Sequence, residues 1–292
     1  MPKMKHKSRM KIGGVSYTCY GYQEGLPKMR AWGYDCLDFQ GLVNTQVHEL
    51  FQLKPRQFWK RLEEIRKMVS DNGLGISQVH GPWRCPPQDA TPEDRAERME
   101  KMRLVLEATS RLGSRNMVIH PIMPFGLMES KAEQRQQSWE INKEFFGQLL
   151  ETAREFQVVV NLENMPFPHL GLARPEAIIK FVKEMDSPWF KFCLDTGHAF
   201  CIGGSPDEAV RLAGRVILQT LHVHDNCGNS DSHFVPYVGS IDWEAFRLAL
   251  QDIGFGGTLS LENHPFFKYP DKLRLDAEMN LVKIAAYLAG RD

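Results

Sequence analysis

Eight short apolar runs recur through the chain, at residues 11–17, 34–39, 75–80, 115–120, 157–163, 190–195, 216–224 and 257–262. Each has the length of a strand, and their largely continuous apolar character suits parallel strands buried on both faces. The stretches between them are longer and carry apolar residues at helical spacing. Residues 57–71 set Phe58, Leu62, Ile65 and Val69 on one face and are closed by Gly73. Thr91, Pro92, Glu93 and Asp94 supply a cap residue, a proline at the first helical position and acids in the first turn, starting a helix that runs to Leu112 and Gly113. Further helices are expected up to about residue 32 and over 130–156, 174–185, 205–214, 241–253 and 271–288. Eight strand-helix units in 292 residues are the count and size of a single-domain α/β fold, a (β/α)8 barrel. A doubly wound open sheet has the same alternation.

The polar residues argue for closure. His80, His120, Glu163, Asp195, His222 and Glu262 all fall at the ends of different runs. In a barrel those ends ring one mouth; in an open sheet they would be strung along an edge, too far apart to converge. The stretch from Phe190 to Phe200 shows the change of character most sharply, passing from an apolar run to Asp195, Thr196, Gly197 and His198. A carboxylate and an imidazole three residues apart on a glycine-containing turn can point into one cleft. Taken alone, Asp195 reads equally well as the cap of the next helix, with His198 an ordinary loop residue.

Composition narrows the function classes. Lys and Arg total 36, as do Asp and Glu, so no positive excess advertises a phosphate-binding groove. The stretches 196–205 and 225–240 contain no Lys or Arg, and elsewhere the loops offer only scattered cations such as Arg84, Arg174 and Lys268. Nucleic acid is therefore not an expected partner. No apolar run is long enough to span a bilayer, and no apolar segment follows the basic residues 1–9. With no linker composition, the division is a basic tail over 1–10 and one barrel over 11–292. Six cysteines without C-x-x-C spacing read as reduced, and a cytoplasmic location is expected.

Glu163, Asp195, His222 and Glu262 form the expected metal set. Three carboxylates and one imidazole make a hard, anionic site suited to Mn2+, Mg2+, Co2+ or Zn2+, and ill suited to copper or an iron-sulfur centre. Any one of them could be a rim ion pair or a satisfied core histidine. With four on consecutive strands that bland reading weakens, because unpaired buried carboxylates repel one another unless a cation offsets them. His80, His120, His198, Asp231 and His233 form a second set that binds substrate or completes further metal sites. His224 could face inward beyond its strand end, with Asp225 as its supporting partner. Cys227 is a conceivable soft ligand, and His6, His48, His169 and His264 read as surface residues. Tyr17, Phe39, Trp83, Phe125 and Phe167 are expected to line the mouth as apolar surfaces fit to exclude water.

The segments Leu194-Asp-Thr-Gly-His-Ala-Phe200, Leu221-His-Val-His-Asp-Asn226 with Asp231-Ser-His233, and Leu261-Glu262 resemble those of the xylose isomerase-like TIM barrel superfamily. That superfamily includes sugar isomerases and epimerases, inosose dehydratases and endonuclease IV-type repair enzymes. The resemblance implies a divalent-metal-dependent isomerase or epimerase, with a small sugar as partner and a homo-oligomer allowed. Glu163 and Glu262 would be the acid/base pair as well as ligands, and His198 would match a substrate-binding position. The endonuclease branch implies a three-zinc site, and His80, His120, Glu163, Asp195, His198, His222, Asp231, His233 and Glu262 are all of the right type for it. The segment Asn164 to His169 and the Val-His-Asp-Asn that follows His222 depart from the endonuclease pattern. A lyase of the inosose dehydratase kind would share the isomerase chemistry.

Overall fold

The computed structural model describes residues 10–263 and 269–291. His6, His264, Lys268 and the expected basic tail, apart from Met10, lie outside the described residues. Met10 is buried in the core, so the barrel takes in the last residue assigned to that tail.

Parallel strands β1 (Lys11–Gly14), β2 (Cys36–Phe39), β3 (Gly75–His80), β4 (Asn116–Ile119), β5 (Val159–Glu163), β6 (Phe190–Asp195), β7 (Leu218–His222) and β8 (Thr258–Leu261) form one sheet. Its order is β7-β6-β5-β4-β3-β2-β1-β8. Just past β7 a parallel bridge between Val223 and Leu261 brings the two edges together, with Val223 N–H donating to Ser260 O at 2.8 Å. The sheet is a barrel. Around it run α1 (Gly21–Trp32), α2 (Pro55–Asp71), α3 (Pro92–Arg111), α4 (Ala132–Phe156), α5 (Pro175–Met185), α6 (Thr196–Cys201), α7 (Pro206–Ile217), α8 (Trp243–Asp252) and α9 (Asp271–Leu288). No helix among the described residues is long and apolar enough to cross a membrane.

Local chemistry accounts for the boundaries. Helix α3 opens on a capping box, with Thr91 Oγ1 accepting from Asp94 N–H at 3.1 Å and Asp94 Oδ2 accepting from Thr91 N–H at 3.0 Å. The face of α2 that carries Phe58, Leu62, Ile65 and Val69 is buried, as its spacing predicts. Strand β1 ends at Gly14 rather than continuing to Tyr17, because Thr18 N–H and Oγ1–H both donate to Val15 O and curl residues 16–19 into a 3-10 turn. Strand β7 starts later than expected because α7 continues past a kink at Gly214, whose φ of 61° is left-handed.

Two-residue alternation then sorts the side chains. In β2, Leu37 and Phe39 join the hydrophobic core while Cys36 and Asp38 take the other side. By the same alternation Gln78 shares a side with His80, Asn161 with Glu163, Thr220 with His222, and Ser260 with Glu262. A buried polar layer therefore underlies the strand ends.

Candidate metal centre

Three groups of donor atoms converge at the mouth, each with its ligand atoms within 4.8 Å of one another. The central group is Glu163, Asp195, His222 and Glu262; beside it lie His80, His120 and Glu163 on one flank and His198, His224, Asp231 and His233 on the other. Glu163 belongs to two of the groups. Its Oε1 lies 2.8 Å from His222 Nδ1, and its Oε2 lies 3.1 Å from His120 Nε2 and 3.5 Å from His80 Nε2. Glu262 Oε2 is 3.4 Å from the same His222 nitrogen. On the outer flank, His198 Nε2 and His233 Nε2 each stand 3.2 Å from Asp231 Oδ2.

The segment that opens at Asp195 caps a helix and also turns side chains into the mouth. Asp195 Oδ1 accepts from His198 N–H and caps α6, while Oδ2 lies 3.0 Å from His224 Nε2. Asn164 holds the strand end in place, its Oδ1 accepting from Asp195 N–H and its Nδ2 donating to Asp195 O. Gly197 has to be glycine: a Cβ there would lie 2.0 Å from the His224 ring. That ring is in turn stacked on His233, with centroids 3.9 Å apart. At the end of β4, Arg98 pairs with Asp89 and donates to His120 O at 2.9 Å.

The imidazoles are oriented by what their other nitrogens meet. Nδ1 faces a backbone carbonyl in His80 (Gly81 O, 2.9 Å), His198 (Asn164 O, 2.9 Å) and His233 (Glu262 O, 2.6 Å), which leaves Nε2 turned toward carboxylates. His222 is reversed. Its Nε2 lies 3.0 Å from Asp38 Oδ2, and Nδ1 faces the central group. Such supporting contacts fix the tautomer of metal-ligating histidines.

Electrostatics match this picture. Burial disfavours a charged His222, yet the carboxylates of Glu262 and Glu163 raise its pKa well above the usual histidine value. Burial likewise opposes charge on His198 and His233. The Asp195 charge in the first case and the Asp231 contact in the second nevertheless raise them to about 10 and about 9. The reverse holds for Glu163, where burial is outweighed by the facing His222 and His120 and the carboxyl is held well below its usual range. His120 moves the other way, lowered to about 4 by burial. Protons on imidazole thus balance clustered carboxylates, the role a divalent cation fills when it displaces them. Glu163 Oε2 is buried, and among the described residues no donor meets it with hydrogen-bond geometry. The donor set and that oxygen fit a divalent ion.

A cavity of about 250 Å3 opens above these groups, lined by Gln40, Val43, His80, Trp83, His120, Glu163, Met165, Pro166, Phe167, His198, Asp231, His233 and Glu262. Among the described residues no Lys or Arg is in that lining. Trp83 and Phe167 are among the residues lining the cavity, and Trp83 meets the His120 ring edge-on at 4.5 Å. Tyr17 and Phe39 do not line the mouth. Both are buried in the core against Tyr22, and Tyr17 Oη accepts from Gln40 N–H at 2.7 Å. Phe125 is half-buried and outside the cavity lining. Asp225 supports no ligand. It accepts from Asn226, Gly239 and Ile241 N–H and from Trp243 Nε1–H, pinning the loop between β7 and α8. Cys227 and His169 are exposed, while His48 is half-buried. Asp38 and Gln40 escape the sequence reading; the one available signal for Asp38 is a lone acid between Leu37 and Phe39 in a buried strand.

Known proteins resemble this chain to different depths. An uncharacterized protein of Methanocaldococcus jannaschii is 29% identical over 193 residues, which make up 63% of this chain and 63% of that protein. The D-psicose 3-epimerase of Enterocloster bolteae is 25% identical over 267 residues, covering 86% of this chain and 83% of the epimerase. Among solved structures, a D-tagatose 3-epimerase-like protein superposes with a TM-score of 0.76 at 24% identity, over 96% of this chain and 98% of its own. The IolI protein, solved with a zinc atom, gives 0.74 at 18% identity over 97% and 99%. At these identities the superpositions establish the fold. Residues 26–283 match the xylose isomerase-like TIM barrel family. That span takes in all nine strand-end and loop donors expected from sequence, and the chain belongs to this family.

Proposed function

We propose that the protein is a divalent-metal-dependent isomerase or epimerase acting on a ketose or a related polyol carbonyl. The observation that carries this reading is the pair Glu163 and Glu262. They flank His222 at the floor of a monosaccharide-sized cavity whose lining, among the described residues, holds no Lys or Arg. The similarity to a D-psicose 3-epimerase over most of the chain supports it. Glu163, Asp195, His222 and Glu262 would hold the ion, which when bound supplies Lewis-acid polarisation of a carbonyl and its neighbouring hydroxyl.

Glu262 is the more accessible carboxylate, with its side chain 13% exposed against 1% for Glu163. One of the two takes the proton from the carbon next to the carbonyl. The C–H electron pair becomes the new carbon-carbon π bond, and the carbonyl oxygen takes up the charge, giving an enediolate. Return of a proton by the other glutamate to the opposite face inverts that centre, and return to the neighbouring carbon isomerises the sugar. Trp83, Met165 and Phe167 wall the cavity and limit water at the reacting carbon. Loss of a β-hydroxyl in place of reprotonation would make the same site a dehydratase. The test is exchange of substrate C–H for solvent deuterium across a ketose and inosose panel with Mn2+ or Co2+. Complete absence of exchange refutes the reading.

A second reading is favoured by the three adjoining donor groups. Together they suit a three-ion cluster for hydrolysis of a phosphodiester at an abasic site. Among the described residues the cavity lining offers no cation for flanking phosphates. Nicking of an abasic duplex, together with about three ions per chain and no C–H exchange, would put this reading first.

A further inference from the structure

Asp38 is a fully buried carboxylate one layer below the metal set, and among the described residues no Lys or Arg is paired with it. A buried carboxylate is costly unless it is hydrogen-bonded and charge-balanced. Its Oδ2 accepts from Gln78 Nε2–H at 2.7 Å and Ser260 Oγ–H at 2.9 Å, and it lies 3.0 Å from the buried His222 Nε2, at ion-pair distance but outside hydrogen-bond geometry. Its Oδ1 accepts from Gln40 Nε2–H at 3.2 Å, and that amide also reaches Glu262 Oε1 at 3.4 Å. Two members of the central group, His222 and Glu262, are therefore touched by one network drawn from β2, the residue after it, β3 and β8.

We infer that Asp38 is a positioning residue of the centre: it holds His222 as the tautomer protonated on Nε2, so that Nδ1 is the donor presented beside Glu163 and Glu262. His80, His198 and His233 carry the opposite arrangement, because each has Nδ1 on a backbone carbonyl. Against His222 the partner is a full carboxylate, which raises the donor strength of Nδ1 as well as aiming it. Gln78 and Ser260 stop Asp38 from turning into the centre and becoming a ligand itself. Gln40 carries the same restraint to Glu262. The inference rests on the metal reading of the central group and is independent of which substrate is turned over.

The test uses full-length protein and zinc, with no sugar. Two-bond 1H–15N spectra of the zinc-loaded wild type report each imidazole tautomer. His222 is expected to be protonated on Nε2 and metallated on Nδ1, and His80, His198 and His233 to be protonated on Nδ1. Zinc competition with a chelator, followed on the same resonances, is then run for Asp38→Asn and Asp38→Ala. The ion sensed by His222 should bind ten- to a hundredfold more weakly, the usual cost of losing such a partner. Ions sensed by His198 and His233 should be held as in the wild type. A His222 protonated on Nδ1, or affinity at His222 within twofold of wild type in both variants, overturns the inference. Should neither variant fold, the wild-type tautomer decides alone. Absence of C–H exchange on every sugar would refute the proposed reaction and leave these results unchanged.

Discussion

Gly197→Ala sets two physical effects against each other. Gly197 lies inside α6, where exchanging glycine for alanine should stabilise a helix by about 0.5–1 kcal/mol. The new methyl would lie 2.0 Å from His224 Cε1 and 2.3 Å from Nδ1, so the ring would have to retreat by about 1.4 Å to reach ordinary contact. It has nowhere to go. His224 is fully buried, is stacked on His233 and holds Asp195 Oδ2 at 3.0 Å. Overpacking of this kind costs about 1–3 kcal/mol, and breaking a hydrogen bond to a charged group costs about 1.5–3 kcal/mol. Clash outweighs propensity, and a net destabilisation of about 3 kcal/mol is expected. Urea denaturation of chelator-treated protein reads it directly, as a lower midpoint at unchanged slope. In a His224→Ala background the clash is gone, and the same glycine substitution should cost less than about 0.5 kcal/mol. Equal costs in both backgrounds, or a stabilised single variant, would refute the packing argument.

Other outcomes follow from the same geometry. Glu163→Gln should lose bound metal and slow C–H exchange at least about a hundredfold, read by elemental analysis and deuterium incorporation; full exchange would remove Glu163 from the reaction. Metal-free protein should lose thermal stability as pH rises from about 6.5 to 10. His198 and His233 have folded-state pKa values raised to about 10 and about 9, so their stabilisation is complete below the unfolded histidine value and lost through the raised ones. Metal-loaded protein should lack that fall, since the ion takes the place of the protons, and a flat Tm for metal-free protein would contradict this. Trp83→Ala should raise KM up to about tenfold with little change in kcat if the indole only packs against substrate, as steady-state kinetics will show.

Much of the barrel can be read from the chain because parallel strands and their helices carry different periodicities. The ends of runs are where this reading fails. Tyr17 follows an apolar run as a strand residue would, but Thr18 bonds back to Val15 and starts a turn instead. The aromatics show the same limit: Tyr17 and Phe39 are sequence neighbours of the mouth, yet strand alternation turns Phe39 to the core and both rings pack against Tyr22 there. Donors at strand ends were legible because titratable residues there have few structural uses. Asp38 was not, since a single acid within a strand announces neither its depth nor its partner. His224 lies past the end of β7, and the Val223 bridge carries the strand's alternation two residues further and turns it inward.

The most direct test of the account is the metal content of purified protein after exhaustive dialysis and reloading with Mn2+, Co2+ or Zn2+. At least one ion per chain should be retained, with retention lost in a Glu163→Gln, Asp195→Asn double variant that still folds. Reloaded wild-type protein that holds no ion above the buffer level would contradict it.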